Sequence, residues 1–174
     1  MVRKILKEVR FMSWEQVYEQ WIDSDKLDEK MRKELQDLGK DRELKKDAFY
    51  KQLEFGTAGM RGVLGPGVNR MNIFTIRQAT EGLARFMDTQ DPETKRRGVA
   101  IAYDSRHMSP EFAMEAAKTL AKHDIPSFVF ESLRPTPELS FAVRFENAFT
   151  GIMITASHNP VSYTHLRAHE TTLH

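Results

Sequence analysis

Gly151-Ile152-Met153-Ile154-Thr155-Ala156-Ser157-His158-Asn159-Pro160 is the stretch on which the fold turns. Ile152 to Ile154 is a short apolar run of the length and branching that a buried strand requires. It gives way at once to small and polar residues and ends in Asn-Pro, a turn signal. A strand that stops and leaves a hydroxyl at its carboxyl end sits where open α/β sheets keep their chemistry. Ser157 and Asn159 equally suit a cap or turn that leads into a following helix.

Working back from this stretch, strands and helices alternate. Val99-Ala100-Ile101-Ala102-Tyr103 reads as a buried strand. Ser109 and Pro110 read as the cap and first residue of a helix whose inner face carries Phe112, Ala116 and Leu120. Ser127 to Phe130 is a second strand, and Glu138 to Arg144 a short helix before the strand at 150–154. Strands separated by helices predict parallel pairing with right-handed crossovers. That topology brings Asp104-Ser105-Arg106, Arg134-Pro135-Thr136-Pro137 and Thr155-Ala156-Ser157-His158 to one rim of the sheet. Ser105 and Thr136 also suit ordinary polar loops, and Asp104 with Arg106 suits a structural pair that shapes its turn.

Further upstream, Asn72 is a cap candidate for a helix with Ile73, Ile76, Ala79, Thr80, Leu83 and Met87 along one stripe. Ser13 and Gln16 form a capping-box pattern, Met12 and Val17 a candidate staple. Trp14, Val17, Tyr18, Trp21 and Ile22 fall on one helical face. Leu27, Met31, Leu35 and Leu38 continue at helical spacing toward a stop at Gly39, and a second short helix is predicted from Leu44 to Tyr50. Met12 reads as the natural start. Lys7-Glu8-Val9-Arg10 is what a purine-rich ribosome-binding sequence would encode in frame, so residues 1–11 are expected to be a non-native or disordered extension.

The 174 residues suffice for one domain with a proper core. Lys and Arg number 26 against 25 Asp and Glu, a net charge of +1, which argues against a nucleic-acid or membrane-surface binder driven by bulk charge. Phosphate recognition would therefore be local. With no cysteine, neither a disulfide framework nor a thiolate metal site is available. No apolar run approaches the roughly 20 residues that span a bilayer. The basic start lacks an apolar h-region, so a cytoplasmic protein is expected.

Phe55-Gly56-Thr57-Ala58-Gly59-Met60-Arg61-Gly62 places three glycines where the backbone can bend and approach a ligand, with Thr57 as a donor and Arg61 as a bidentate phosphate grip. A Gly-rich hairpin with an exposed arginine is the plainer reading. Thr155-Ala156-Ser157-His158-Asn159-Pro160, however, resembles the phosphoserine loop of the α-D-phosphohexomutases, the phosphoglucomutase/phosphomannomutase family. The segment from Phe55 to Gly62 resembles a second signature of that family, in the expected order.

The resemblance implies a three-layer α/β/α domain with a mixed, largely parallel sheet, the family's first domain, over residues 12–160. It implies that Ser157 carries a phosphoryl group, gives it to a sugar monophosphate and recovers the other phosphate of the resulting bisphosphate. Arg61 and His158 would assist catalysis, and Thr57, Arg61, Asn159 and Arg106 would bind substrate or phosphate. Mg²⁺ would be held through the Ser157 phosphoryl oxygen, with a glucose 1,6-bisphosphate-type activator. His158 beside Ser157 is not a Ser–His dyad, because neighbouring side chains on an extended chain point apart. The implied partners are a sugar phosphate and the remaining domains of the same chain, with neither nucleic acid nor membrane. Met60 in the glycine-rich signature leans toward glucose or pentose substrates. A non-catalytic phosphosugar-binding or interaction module is the alternative.

Beyond Pro160 the pattern departs from the family. Tyr163 aligns, but the family's lysine, ten positions past the serine and its proposed acid/base, is replaced by Arg167, a poor proton carrier. His165, His169 and His174 lack the further ligands of a metal site. Ser162 to Thr171 resembles translated sequencing-adaptor DNA, so 161–174 is expected to be a non-native tail. The family's Asp-Gly-Asp metal loop, sugar-selecting loop and final phosphate-binding domain do not occur in the 174 residues, and the chain is expected to be inactive alone.

Overall fold

The computed structural model describes residues 12–56 and 59–155, and 163–170 as backbone with the Leu166 side chain. Expectations for residues 1–11 lie outside the described residues. The described chain forms two compact units, Met1–Leu53 with Gly65–Arg70, and Glu54–Leu64 with Met71–His174.

The first unit is helical: α1 (Trp14–Ile22), α2 (Glu29–Leu38) and α3 (Arg42–Phe49). The capping box expected at Ser13 forms, with Gln16 N donating to Ser13 Oγ at 3.3 Å and Ser13 N donating to Gln16 Oε1 at 2.8 Å. Tyr18 is buried and meets Phe49 edge-on, with centroids 5.5 Å apart. Gly39 caps α2 as expected, but its reason is space. It has ordinary right-handed dihedrals, and a Cβ there would lie 2.2 Å from the Tyr18 hydroxyl.

The second unit is built on a six-stranded sheet. Its elements are β1 (Phe55–Gly56), β2 (Gly59–Val63), α4 (Ile73–Asp88), α5 (Pro92–Arg97), β3 (Val99–Tyr103), α6 (Ser109–Ala121), β4 (Ser127–Val129), α7 (Thr136–Phe145), β5 (Thr150–Thr155) and β6 (Tyr163–Glu170). The strand order is β1-β2-β6-β5-β3-β4. β3 pairs in parallel with β4 and β5, as the strand–helix alternation requires. β1, β2 and β6 add an antiparallel half, so the sheet is mixed.

Gly151, Met153, Ala100 and Ala102 lie on the face that α7 covers through Leu139 and Val143. Small residues are needed there: a Cβ on Gly151 would lie 2.8 Å from Val143 Cγ2. Strand alternation sends Val99, Ile101, Ile152 and Ile154 to the other face, where α6 packs with Phe112, Ala116 and Leu120 buried. Each of the larger side chains, Val, Ile, Leu and Phe, contributes about 1.5–3 kcal/mol on burial. Helix, sheet and helix form an α/β/α sandwich. Asn72 caps α4 as expected, accepting from Phe74 N and Thr75 N.

One local expectation is corrected. Ser109 is not a cap: Met108 precedes α6 in a left-handed conformation (φ 66°), and Ser109 is the first helical residue, its hydroxyl turned to Asp104. The charged segment before β3 contains a short helix, α5, with Asp91 as N-cap and Pro92 as first residue. Its apolar content is too low to have signalled it by periodicity.

Candidate functional site

Because β3, β4 and β5 are parallel, their carboxyl ends share one edge. Backbone bonds knit that edge together. Asp104 N donates to Ile154 O at 3.0 Å, and Arg134 N donates to Tyr103 O at 3.0 Å. The turns after β3 and β4 and the end of β5 are thus brought to one rim, as the topology predicts.

Asp104 is the most connected side chain described there. Its Oδ2 accepts from Thr155 Oγ1 at 2.7 Å, while Oδ1 accepts from Arg106 N at 3.0 Å and Ser109 Oγ at 3.2 Å. Asp104 with Arg106 does shape its turn, but through the Arg106 backbone amide. Arg106 itself is half-buried in that turn. The sequence puts Thr155 in a rim segment, but nothing in it couples Thr155 to Asp104, 51 residues away.

Arg61 lies on β2 and is exposed between buried Met60 and Gly62. Its register decides its relevance. Arg61 pairs with the backbone of residue 165, which pairs in turn with Thr155. Arg61 and Thr155 therefore sit in one row on the same face of the sheet, two strand spacings or about 10 Å apart at Cα. β2 and β6 also run two residues past the end of β5, pairing Gly62 with Thr164 and Val63 with Tyr163. Among the described residues the Arg61 guanidinium has no ion-pair partner. Gly59, at φ 97°, supplies the left-handed turn that starts β2.

Thr57, Ser157, His158 and Asn159 lie outside the described residues, as do the side chains of 165, 167 and 169. Mg²⁺ would need carboxylates gathered around it. Among the described residues no group of three or more His, Cys, Asp or Glu comes together, and the Asp104 carboxylate is already engaged by three donors. The described rim does not by itself fit a magnesium cage.

One titratable cluster lies elsewhere. His123 Nδ1 meets Asp88 Oδ2 at 2.6 Å, and Nε2 meets Glu81 Oε2 at 3.0 Å. Hydrogen bonds to Glu81 and then Asp88 hold the imidazole above its ordinary value. It follows the carboxyl end of α6, and the 13 residues of that helix put about 20 Å between it and the rim. No helix among the described residues is long and apolar enough to cross a membrane.

A parallel β3–β4–β5 core between helices, with a polar rim at its carboxyl edge, defines a protein of the α/β class. Comparison with known proteins gives the family. Residues 52–170 match the model for "Phosphoglucomutase/phosphomannomutase, alpha/beta/alpha domain I", and the chain belongs to that family. It is 47% identical over 124 residues to a phosphoglucomutase of Staphylococcus aureus strain bovine RF122 / ET3-1, covering 71% of this chain and 22% of the relative. It is 46% identical over 124 residues to the phosphoglucomutase of strain USA300, with the same coverage. A crystal structure from Thermus thermophilus, provisionally named a phosphomannomutase, superposes with a TM-score of 0.61 at 31% identity, covering 69% of this chain and 26% of that one. The chain thus spans about a fifth of the length of the curated relatives it matches.

Proposed function

We propose that this chain is the catalytic-serine domain of a cytoplasmic phosphosugar mutase, an isomerase acting by phosphotransfer between sugar 1-phosphate and 6-phosphate, with glucose the favoured sugar. Ser157 Oγ attacks the phosphorus of a sugar bisphosphate. The bond from phosphorus to the sugar oxygen breaks, and the serine proton ends on the released sugar hydroxyl. The reverse step returns a phosphoryl group to the other end of the reoriented sugar. The observation that carries this reading is the register of Arg61 with Thr155, which puts an exposed arginine in the row of the strand end that Ser157 follows in sequence. Such a cation offsets charge spreading over the phosphoryl oxygens. His158, Thr57, Asn159 and Arg106 belong to the same reading as contacts to phosphate or sugar.

Mg²⁺ bound through the Ser157 phosphoryl oxygen would add to that offset, and it needs carboxylates beyond those described. In this reading 12–160 is the native body, flanked by extensions at 1–11 and 161–174, and Arg167 does not replace a proton-carrying lysine. The chain alone therefore accepts phosphoryl groups poorly and does not complete a mutase cycle. The test is loading of Ser157 from labelled glucose 1,6-bisphosphate, compared with Ser157→Ala. Equal labelling of the two proteins would rule Ser157 out, and sustained glucose 6-phosphate production by the unaltered 174-residue chain would rule out its dependence on further domains.

A further inference from the structure

We propose that Asp104 is the positioning residue for the serine-bearing segment, fixing through the Thr155 hydroxyl the point from which the chain enters residues 156–160. The inference rests on Ser157 being the phosphoryl carrier. The 2.7 Å bond from Thr155 Oγ1 to Asp104 Oδ2 joins residues 51 positions apart, across the ends of β5 and β3. The parallel ladder does not require it, since Asp104 N already donates to Ile154 O. The side-chain bond fixes something the ladder leaves free, the rotamer of Thr155 and the direction in which the chain leaves the sheet. Ser157 lies two residues farther, a span of at most about 7 Å, so an error in direction at Thr155 is passed to its hydroxyl. In-line transfer tolerates little of this, because a misplacement of about 1 Å can cost about 100-fold in rate.

The other oxygen of the same carboxylate anchors the bracket. Asp104 Oδ1 accepts from Arg106 N and from Ser109 Oγ, and Ser109 is fully buried at the start of α6. The turn between them is closed by Ser109 N donating to Arg106 O at 3.1 Å, and it holds Met108 at φ 66°. A non-glycine residue in that region costs free energy, and such residues gather at functional turns. The three described donors occupy most of the roughly four acceptor sites of a carboxylate. They hold Asp104 as a bracket between its own turn, the start of α6 and the end of β5.

The test uses the 174-residue chain with Thr155→Val, Thr155→Ser, Asp104→Asn and the double variant Asp104→Asn/Thr155→Val. Amide hydrogen exchange is read at residues 155–159, with Ile101 and Leu120 as controls and thermal unfolding alongside. Loss of a hydrogen bond to a charged group predicts exchange about tenfold or more faster at 155–159 in Thr155→Val. The controls stay within about twofold, and Thr155→Ser restores the wild-type rates. Asp104→Asn behaves like Thr155→Val, and the double variant is no faster than either. Unchanged exchange at 155–159, or an equal rise at Ile101 and Leu120, would overturn the proposal. The Ser157→Ala loading comparison separates the two claims, since its failure removes the carrier and leaves the exchange result intact.

Discussion

Replacing Arg61 separates a phosphate contact from a structural arginine. The side chain is exposed and makes no ion pair among the described residues, and its strand is held by backbone pairing with β6. Arg61→Ala should therefore change stability by no more than about 0.5 kcal/mol, the usual range for surface positions. Its effect on transfer should be larger. The register puts Arg61 about 10 Å from Thr155 at Cα, and an extended arginine covers more than half of that span. A unit charge about 6 Å from a phosphoryl oxygen, at an effective dielectric of about 20, contributes about 3 kcal/mol. Only the part that grows toward the transition state accelerates the step, so the expected loss is about 10- to 100-fold. Arg61→Lys should fall between, keeping the charge and losing the bidentate fork. The assay is single-turnover loading of Ser157 in the intact protein, paired with urea unfolding. Wild-type loading in Arg61→Ala, or a stability loss of more than about 2 kcal/mol alongside the loss of rate, would refute the reasoning.

Two further outcomes follow from the packing. His123 has its ionisation raised above 6.5 by Glu81 and then Asp88, so the protonated cluster adds stability that is fully present below pH 6.5 and lost as pH rises through the raised value. Glu81 is lowered by His123 and then Arg85, and Asp88 by Lys95 and then His123, so their contribution is lost as pH falls through those lowered values. His123→Gln should flatten the decline of melting temperature as pH rises above 6.5, and an unchanged slope would refute the clamp. Gly151→Ala should destabilise by about 1–3 kcal/mol through overpacking, because its Cβ would meet Val143 and Leu139 at 2.8 and 3.1 Å; a melting temperature equal to or above wild type would show that α7 does not seat there.

The parallel half of the fold was legible because its signals are local. Apolar runs at 99–103 and 150–155, cap residues at Ser13 and Asn72, and helices between strands each follow from short-range chemistry. Of the antiparallel half only the glycine-rich β1–β2 hairpin with its exposed arginine was legible. β6 has no clear apolar alternation, and 163–170 was expected to be a tail, yet its backbone fills the slot between β2 and β5. Two strands with open edges present unpaired N–H and C=O groups, and backbone pairing there depends little on which side chains the pairing strand carries. Arg61 was legible as a cation in a glycine-rich segment, but its placement in Thr155's row is set by β6 and could not be read before the register was known. The Thr155–Asp104 bond was hidden for the same reason, since 51 residues separate its partners.

The two ends of the parallel strands carry different burdens. At the amino edge, Arg97 donates to Asn147 O and Ala148 O, and His123 bridges Asp88 and Glu81. Gly98 stands at φ 69°, with Pro126 O only 2.4 Å from where a Cβ would be. Those groups are satisfied by one another, and their chemistry is used up in holding elements together. At the carboxyl edge the Asp104 carboxylate is likewise committed to its bracket, but Arg61 retains a charge with no ion-pair partner among the described residues. An exposed cation is solvated, so it can meet an anionic ligand without being needed by the fold. Substitutions at Arg97 or Gly98 should therefore register in stability, and those at Arg61 in phosphate handling. For Asp104 and Thr155 the separation follows from strand direction, because parallel strands place their carboxyl ends on the same side, and Arg61 joins them through the β6 register.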